Sequence, residues 1–195
     1  PYIDLAKKVF PNANIVVDKF HIVQLLTREL NKLRINEMKK LNTRSREYKV
    51  LKRYWKIPLT RKRDLNSIYF YKNRHFKNMT SSIDILDYML KEFPNLKEAY
   101  DFYQNFLLSI SKNDVAMLED ILNTRTDEIP MCFRKSIKSL KKLRKYVLNS
   151  LKYDYTNAMV EGKNNKIKVI KRVSYGYRSF RNFKARIMLM ERYKI

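Results

Sequence analysis

Apolar residues along the chain recur mostly at helical spacing. From Tyr2 to Phe10 they fall at positions 2, 3, 5, 6, 9 and 10, the stripe of an amphipathic helix, and Pro11-Asn12 ends it. Ile15-Val16-Val17 is a β-branched run of the kind found in a short buried strand, with Asp18 at its C-terminal end. Phe20 opens a second helical pattern through Val23, Leu26, Leu30, Leu33 and Leu41, close to a heptad repeat, which predicts a helix to about residue 42. Ser81-Ser82 followed by Asp84 reads as a capped helix start, and Pro94 stops that helix after Phe93. Asn95 to Ile110 is a further helix, rich in aromatics. Pro130 stands where a first-turn proline belongs, before Phe133, Ile137, Leu140, Leu143, Val147 and Leu151, the stripe of one continuous helix.

The C-terminal stretch is helical but different in character. Thr156 or Asn157 can cap a helix whose buried side is Val160, Ile167 and Ile170. Glu161, Asn165, Lys168 and Arg172 stand at i, i+4, i+7 and i+11, on one polar face. The turn Ser174-Tyr175-Gly176-Tyr177 follows, with Gly176 expected to give the helix end its freedom. Ser179 can cap a final helix carrying Phe180, Phe183, Ile187 and Met190.

Composition narrows the class. With 195 residues, 45% apolar and 13% aromatic, the chain can bury a core, and two glycines and five prolines suit long helices. No apolar run approaches the ~20 residues needed to cross a bilayer, and no signal-peptide pattern is present. Cys132 alone cannot form an intrachain disulfide or a cysteine zinc site, so it reads as a small apolar residue. The chain starts at Pro1 without a methionine, which reads as a fragment.

Charge changes the picture most. Forty-three Lys and Arg against nineteen Asp and Glu give a net +24, a balance that attracts polyanions through release of condensed counterions. Residues 1–23 carry a net +1, residues 151–195 a net +9 and the long middle +14. Nucleic acid is the leading partner. A membrane surface or ribosomal packing would account for the same number.

Three constellations can carry chemistry. Glu161 is the only acid between Asp154 and Glu191, among Lys163, Lys166, Lys168, Lys171, Arg172, Arg178, Arg181, Lys184 and Arg186. A carboxylate among phosphate-attracting cations suits a divalent-metal site acting on a phosphodiester, while a glutamate favoured by the helix dipole gives the same pattern. Asp18 and His21 stand at the end of the strand pattern and one turn into the next helix, where open α/β sheets place their sites; equally, Asp18 can be a helix cap and His21 a structural histidine. The run Arg134, Lys135, Lys138, Lys141, Lys142, Arg144, Lys145 contains no acid, and its self-repulsion favours a face that lies against phosphates. Trp55, beside Arg53 and Tyr54, offers a weaker stacking candidate.

Two blocks then carry a resemblance. Phe10-Pro11-Asn12-Ala13-Asn14-Ile15-Val16-Val17-Asp18-Lys19-Phe20-His21 and Val160-Glu161-Gly162-Lys163-Asn164-Asn165-Lys166-Ile167-Lys168 resemble, in that order, signatures of bacterial insertion-sequence DDE transposases of the ISL type. Lys171-Arg172, Tyr175-Gly176-Tyr177 and Phe180-Arg181-Asn182-Phe183 resemble the continuation of the second block.

The resemblance implies an α/β RNase H-like core, of which this chain holds only the C-terminal part: residues 1–23 as a helix and last strand, and 151–195 as closing helices. Residues 24–150 would be an all-helical insertion, leaving the chain mostly α. It implies metal-dependent cleavage and transfer of DNA strands at insertion-sequence ends, with two divalent ions, usually magnesium, held by three acids. Glu161 matches the third acid. The second aligns just upstream of Pro1 and the first on an earlier strand, so the isolated chain is expected to be inactive.

Asp18 is then either a metal ligand or a residue organising the site with His21. Asn165, Lys168, Arg172, Arg178, Lys138, Lys141 and Lys142 are the expected DNA-binding side chains. Expected partners are insertion-sequence ends, target DNA and further copies of the protein, with no membrane, in the bacterial cytoplasm at the nucleoid. The competing class is a non-catalytic basic helical DNA-binding module.

Overall fold

The computed structural model describes residues 2–153, 155 and 157–192, which divide into two units, residues 1–154 and 155–195. The first unit is a helical body: α1 (Tyr2–Val9), α2 (Lys19–Lys39), α3 (Arg46–Arg53), α4 (Ser82–Glu92), α5 (Pro94–Ser111), α6 (Val115–Asn123), α7 (Arg134–Lys142) and α8 (Arg144–Lys152). A two-stranded antiparallel hairpin, β1 (Tyr71–Lys72) and β2 (Met79–Thr80), stands before α4. The second unit is the helix pair α9 (Ala158–Val173) and α10 (Phe180–Arg192). The chain is therefore mostly α. Among the described residues, no helix is long and apolar enough to cross a membrane.

The core of the first unit gathers the stripes that the spacing predicts. Leu26 and Leu30 of α2, Leu96 and Phe106 of α5, Leu118 of α6 and Phe133 are fully buried, and α2 packs on α5. Thr27 Oγ1 and the Tyr103 hydroxyl lie 2.7 Å apart, a polar clasp between those two helices. Arg34 is buried, donating from Nη1 to the Leu51 carbonyl at 2.7 Å and from Nε to Asn31 Oδ1 at 2.9 Å. Burial holds its guanidinium below the usual arginine range. The capping box at α4 is as expected: Ser81 Oγ accepts from the Asp84 amide, and Asp84 Oδ2 accepts from the Ser81 amide. Pro94 ends that pattern by opening α5 at its first position.

Three expectations are corrected. The run 15–17 is extended but forms no ladder, because no strand pairs with it among the described residues. Its polar groups bond to α8 instead: the Val17 amide donates to the Tyr146 carbonyl at 3.2 Å, and Asn149 Nδ2 to the Ile15 carbonyl at 2.9 Å. The helix expected from Pro130 to Leu151 is broken. Residues 131–133 form a 3-10 turn, and Leu143, at φ −105° and ψ 16°, both ends α7 and starts α8. A straight helix over 134–152 would run roughly 27 Å; the break lets Ile137, Leu140, Val147 and Leu151 all reach one core.

In α9, Ile170 is buried and Ile167 half-buried, but Val160 is exposed, so the apolar side is narrower than expected. At the end of α9 Gly176 takes the positive φ expected of it, +97°, and Tyr175 before it is left-handed as well, at φ +52°. The Tyr175 amide donates to the Arg172 carbonyl and the Gly176 amide to the Lys171 carbonyl, a Schellman closure with tyrosine in the place where glycine is usual. The caps considered at Thr156 and Asn157 divide: Thr156 lies outside the described residues, and Asn157 stands at the N-cap without a side-chain capping bond.

Candidate functional site

Asp18 and His21 belong to the first unit. The Asp18 carboxylate accepts from the Phe20 amide at 2.7 Å, capping α2, and the His21 amide bonds back to the Asp18 carbonyl at 3.1 Å. The His21 side chain is exposed, its ring edge-on to Phe20 with centroids 5.6 Å apart. The capping role held open for Asp18 is thus filled. The segment that carries it is fastened to α8 through Ile15 and Val17, and Lys7 of α1 lies over the Tyr146 ring at 5.7 Å. The hydrogen bond to Tyr146 is the main reason that the Lys7 ammonium is raised above its ordinary range.

Glu161 belongs to the second unit, in the first turn of α9, and is exposed. Among the described residues its carboxylate makes no hydrogen bond or ion pair, whereas the lysines on the next turn are engaged. Lys166 pairs with Glu191 at 3.6 Å and donates to the Met190 carbonyl at 3.0 Å, and Lys163 approaches Glu191 at 4.0 Å. These bonds hold α10 against α9, and the Tyr177 and Phe183 rings pack 4.9 Å apart at the turn. Asn165, Lys168 and Arg172 follow Glu161 along the exposed surface of α9, and Arg178 is exposed in the turn.

Glu161 therefore presents two uncommitted carboxylate oxygens among cations, a donor set that fits a hard divalent ion. Among the described residues no group of three His, Cys, Asp or Glu is gathered as a complete cation site. Beside Glu161, a Cβ added at Gly162 would meet nothing within 4 Å.

The basic run of α7 and α8 is partly committed to structure. Lys141 Nζ donates to the Thr124 carbonyl at the end of α6 at 2.8 Å, and Arg134 Nε to the Ile129 carbonyl at 3.0 Å. Arg144 is paired with Glu119 and donates to Asn123 Oδ1 at 2.9 Å. Lys135, Lys138, Lys142 and Lys145 remain exposed. Lys135 and Lys138 stand with Arg134 and Lys141 on a cleft of about 440 Å³. Burial pushes the Cys132 thiol up to about 12, which makes it an inert packing residue.

One residue stands out that the sequence reading assigned no role. Tyr175 is fully exposed and held in a left-handed conformation that costs a side-chain-bearing residue roughly 1–2 kcal/mol. Its place in the tyrosine-glycine-tyrosine turn was legible, but its strain was not, because the adjacent glycine looked like the residue that would adopt it.

Comparison with known proteins places the chain in a class. The family model of ISL3-type DDE transposases, described as "Transposase", matches residues 1–187. The chain belongs to that family. A protein of Lactococcus lactis subsp. lactis described as "ATP-dependent protease" is 38% identical over 121 residues, which cover 62% of this chain and 38% of that protein. The chain thus spans well under half the length of that relative. No solved structure matches.

Proposed function

We propose that the full-length protein cuts and joins DNA at insertion-sequence ends by metal-dependent phosphoryl transfer, and that Glu161 is one of the acids holding the metal. The reading is carried by family membership over residues 1–187, together with an uncommitted Glu161 carboxylate among cations. Divalent ions bound at such acids supply charge stabilisation to the attacking and leaving oxygens. The chain's own residues do the rest. Glu161 offers ligating oxygens from the first turn of α9. Lys168 and Arg172, on successive turns of the same helix, hold phosphates beside it, and Asn165 can donate to a phosphate oxygen. Asp18 fixes the start of α2, and His21, one turn on, is placed to hydrogen-bond a DNA phosphate. Residues 1–23 and 151–195 belong on this reading to an RNase H-like core and 24–150 to the inserted helical module. The active assembly on DNA holds more than one copy.

The name carried by the Lactococcus protein does not suggest another chemistry for this chain. Its two glycines stand fourteen positions apart, so no glycine-rich loop of the GxxxxGK[ST] kind that cradles nucleotide phosphates is present in these 195 residues.

The test is Glu161→Gln in the full-length protein, assayed on DNA carrying the element's ends with magnesium. Strand cleavage should fall at least a thousandfold while DNA affinity stays within about twofold, because a ligand is removed and no cation is. Cleavage at near wild-type rate would exclude Glu161 from the metal site.

A further inference from the structure

A second basic surface lies in the first unit, beside α3. Between α3 and the turn at residues 73–76 is a cleft of about 610 Å³, lined by Lys49, Lys52, Arg53, Arg74 and His75. No acid lines it. Residues 44–77 carry twelve Lys and Arg against Glu47 and Asp64, a net of +10 in 34 residues. Glu47 is not turned to neutralising the cleft: the Tyr88 hydroxyl donates to its carboxylate at 3.1 Å.

The walls of this cleft are fastened together. Arg46 Nε donates to the His75 carbonyl at 2.7 Å, and its guanidinium lies 4.8 Å from the Phe76 ring and 4.5 Å from the Tyr88 ring. The Tyr54 hydroxyl donates to Asn73 Oδ1 at 3.3 Å, and the Tyr54 ring stands edge-on to those of His75 and Phe76. The turn is therefore held to α3, and the cations are presented from anchored backbone.

Directly before this turn, four large apolar residues in succession are exposed: Ile68 75%, Tyr69 66%, Phe70 51% and Tyr71 58%. Such runs are normally broken by polar residues unless they serve a partner. Their backbone is anchored too. Asn66 Oδ1 accepts from the Ile68 and Tyr69 amides, Asn66 Nδ2 donates to the Tyr69 carbonyl at 2.6 Å, and Tyr71 pairs with Thr80 across the hairpin. Tyr71 is three residues from Arg74, so their Cα atoms lie at most about 11 Å apart.

Flat rings beside a fixed row of cations match a ligand with exposed π-faces and a phosphate backbone. A duplex offers the phosphates but hides the base faces. We propose that this cleft and the aromatic run form one binding site for unpaired DNA, with Lys49, Lys52, Arg53 and Arg74 on the phosphates and Tyr69, Phe70 and Tyr71 stacked on bases. The proposal rests on reading the protein as one that acts on DNA and adds the kind of DNA that its helical module takes.

The experiment measures fluorescence anisotropy of the full chain on oligo(dT) of about 20 nucleotides and on a duplex of equal length, across a salt series. Tyr69→Ser with Phe70→Ser should weaken oligo(dT) binding at least about fivefold and leave duplex binding within twofold. Lys49→Gln with Arg53→Gln and Arg74→Gln should flatten the single-strand salt slope by about 2, at roughly 0.7 per phosphate lost. All five positions are exposed, and thermal unfolding checks that each variant folds. Unchanged oligo(dT) binding in the aromatic variant, or an equal loss on duplex, would overturn the proposal while leaving the transposase reading in place. Failure of the wild-type chain to bind oligo(dT) would likewise overturn the proposal.

Discussion

The side-chain amide of Asn149 donates to the carbonyl of Ile15 at 2.9 Å, joining residues 134 positions apart. With the Val17 amide on the Tyr146 carbonyl, it fastens the extended segment that ends at Asp18 to the side of α8. Asn149 is buried, so its loss leaves an acceptor without its partner. Asn149→Ala should lower stability by about 1–2 kcal/mol, or roughly 2–4 °C in Tm per kcal/mol. Hydrogen exchange should place the change: the Val17 amide should exchange faster, while amides in the middle of α5 shift only with global stability.

Arg34 is a buried cation whose donors reach the Leu51 carbonyl and Asn31. Removing it orphans a carbonyl inside the junction of α2 and α3 and opens a void. Arg34→Ala should cost roughly 2–3 kcal/mol in chemical denaturation, and Arg34→Met, which refills the volume but not the bonds, should recover only part of that.

His75 titrates in the basic cleft. Burial first, then the positive field of Arg53, Arg74, Lys49 and Arg46, holds its imidazolium below the usual range. The unfolded chain therefore binds more protons than the folded one just below about pH 6.5. This contribution to stability is complete above the unfolded pKa and is lost as pH falls toward the folded one. His75→Gln should flatten the Tm-versus-pH curve across pH ~5–7 relative to wild type. A curve of unchanged slope would show that the cleft does not hold the His75 imidazolium below its usual range.

Gly162 lies within a helix, where glycine is less stable than alanine by roughly 0.5–1 kcal/mol, and no neighbour within its unit excludes a methyl. Gly162→Ala should therefore raise the helicity and thermal stability of the chain. If bare backbone beside Glu161 is needed where DNA approaches, the same variant of the full-length protein should cut DNA at least tenfold more slowly. Stability and activity would then move in opposite directions, a pattern that damage to folding does not produce.

Much of this was legible in the chain because helical periodicity is a local property. The stripes through Leu26 and Leu30, the Ser81–Asp84 capping box and the Pro94 start of α5 all follow from neighbours a few positions apart. What escaped depends on distant partners. Ile15-Val16-Val17 has the composition of a strand, but a strand needs another strand beside it, and here Tyr146 and Asn149 take that place. Leu143 breaks a helix with no glycine or proline to announce it, because the core on both sides decides. The polar face of Glu161, Asn165, Lys168 and Arg172 was readable from spacing, while the cleft around Arg74 joins residues from separate segments and has no linear signature. Of the basic run on α7 and α8, sequence shows the charge but not that Lys141 and Arg144 already serve neighbouring groups.

Exposed apolar side chains occur in both units, Leu5, Val9 and Phe10 in the first and Met159, Val160, Val173 and Phe180 in the second, on a molecule of net charge +24. Two long-known colloidal forces therefore oppose each other in any solution of this chain. In dilute buffer, repulsion reaches about 30 Å and keeps molecules apart; near 1 M salt it reaches only about 3 Å, short enough for sticky faces to touch. Ionic strength, the variable that on the proposed function would peel the protein from DNA, is thus also the one that drives its molecules together.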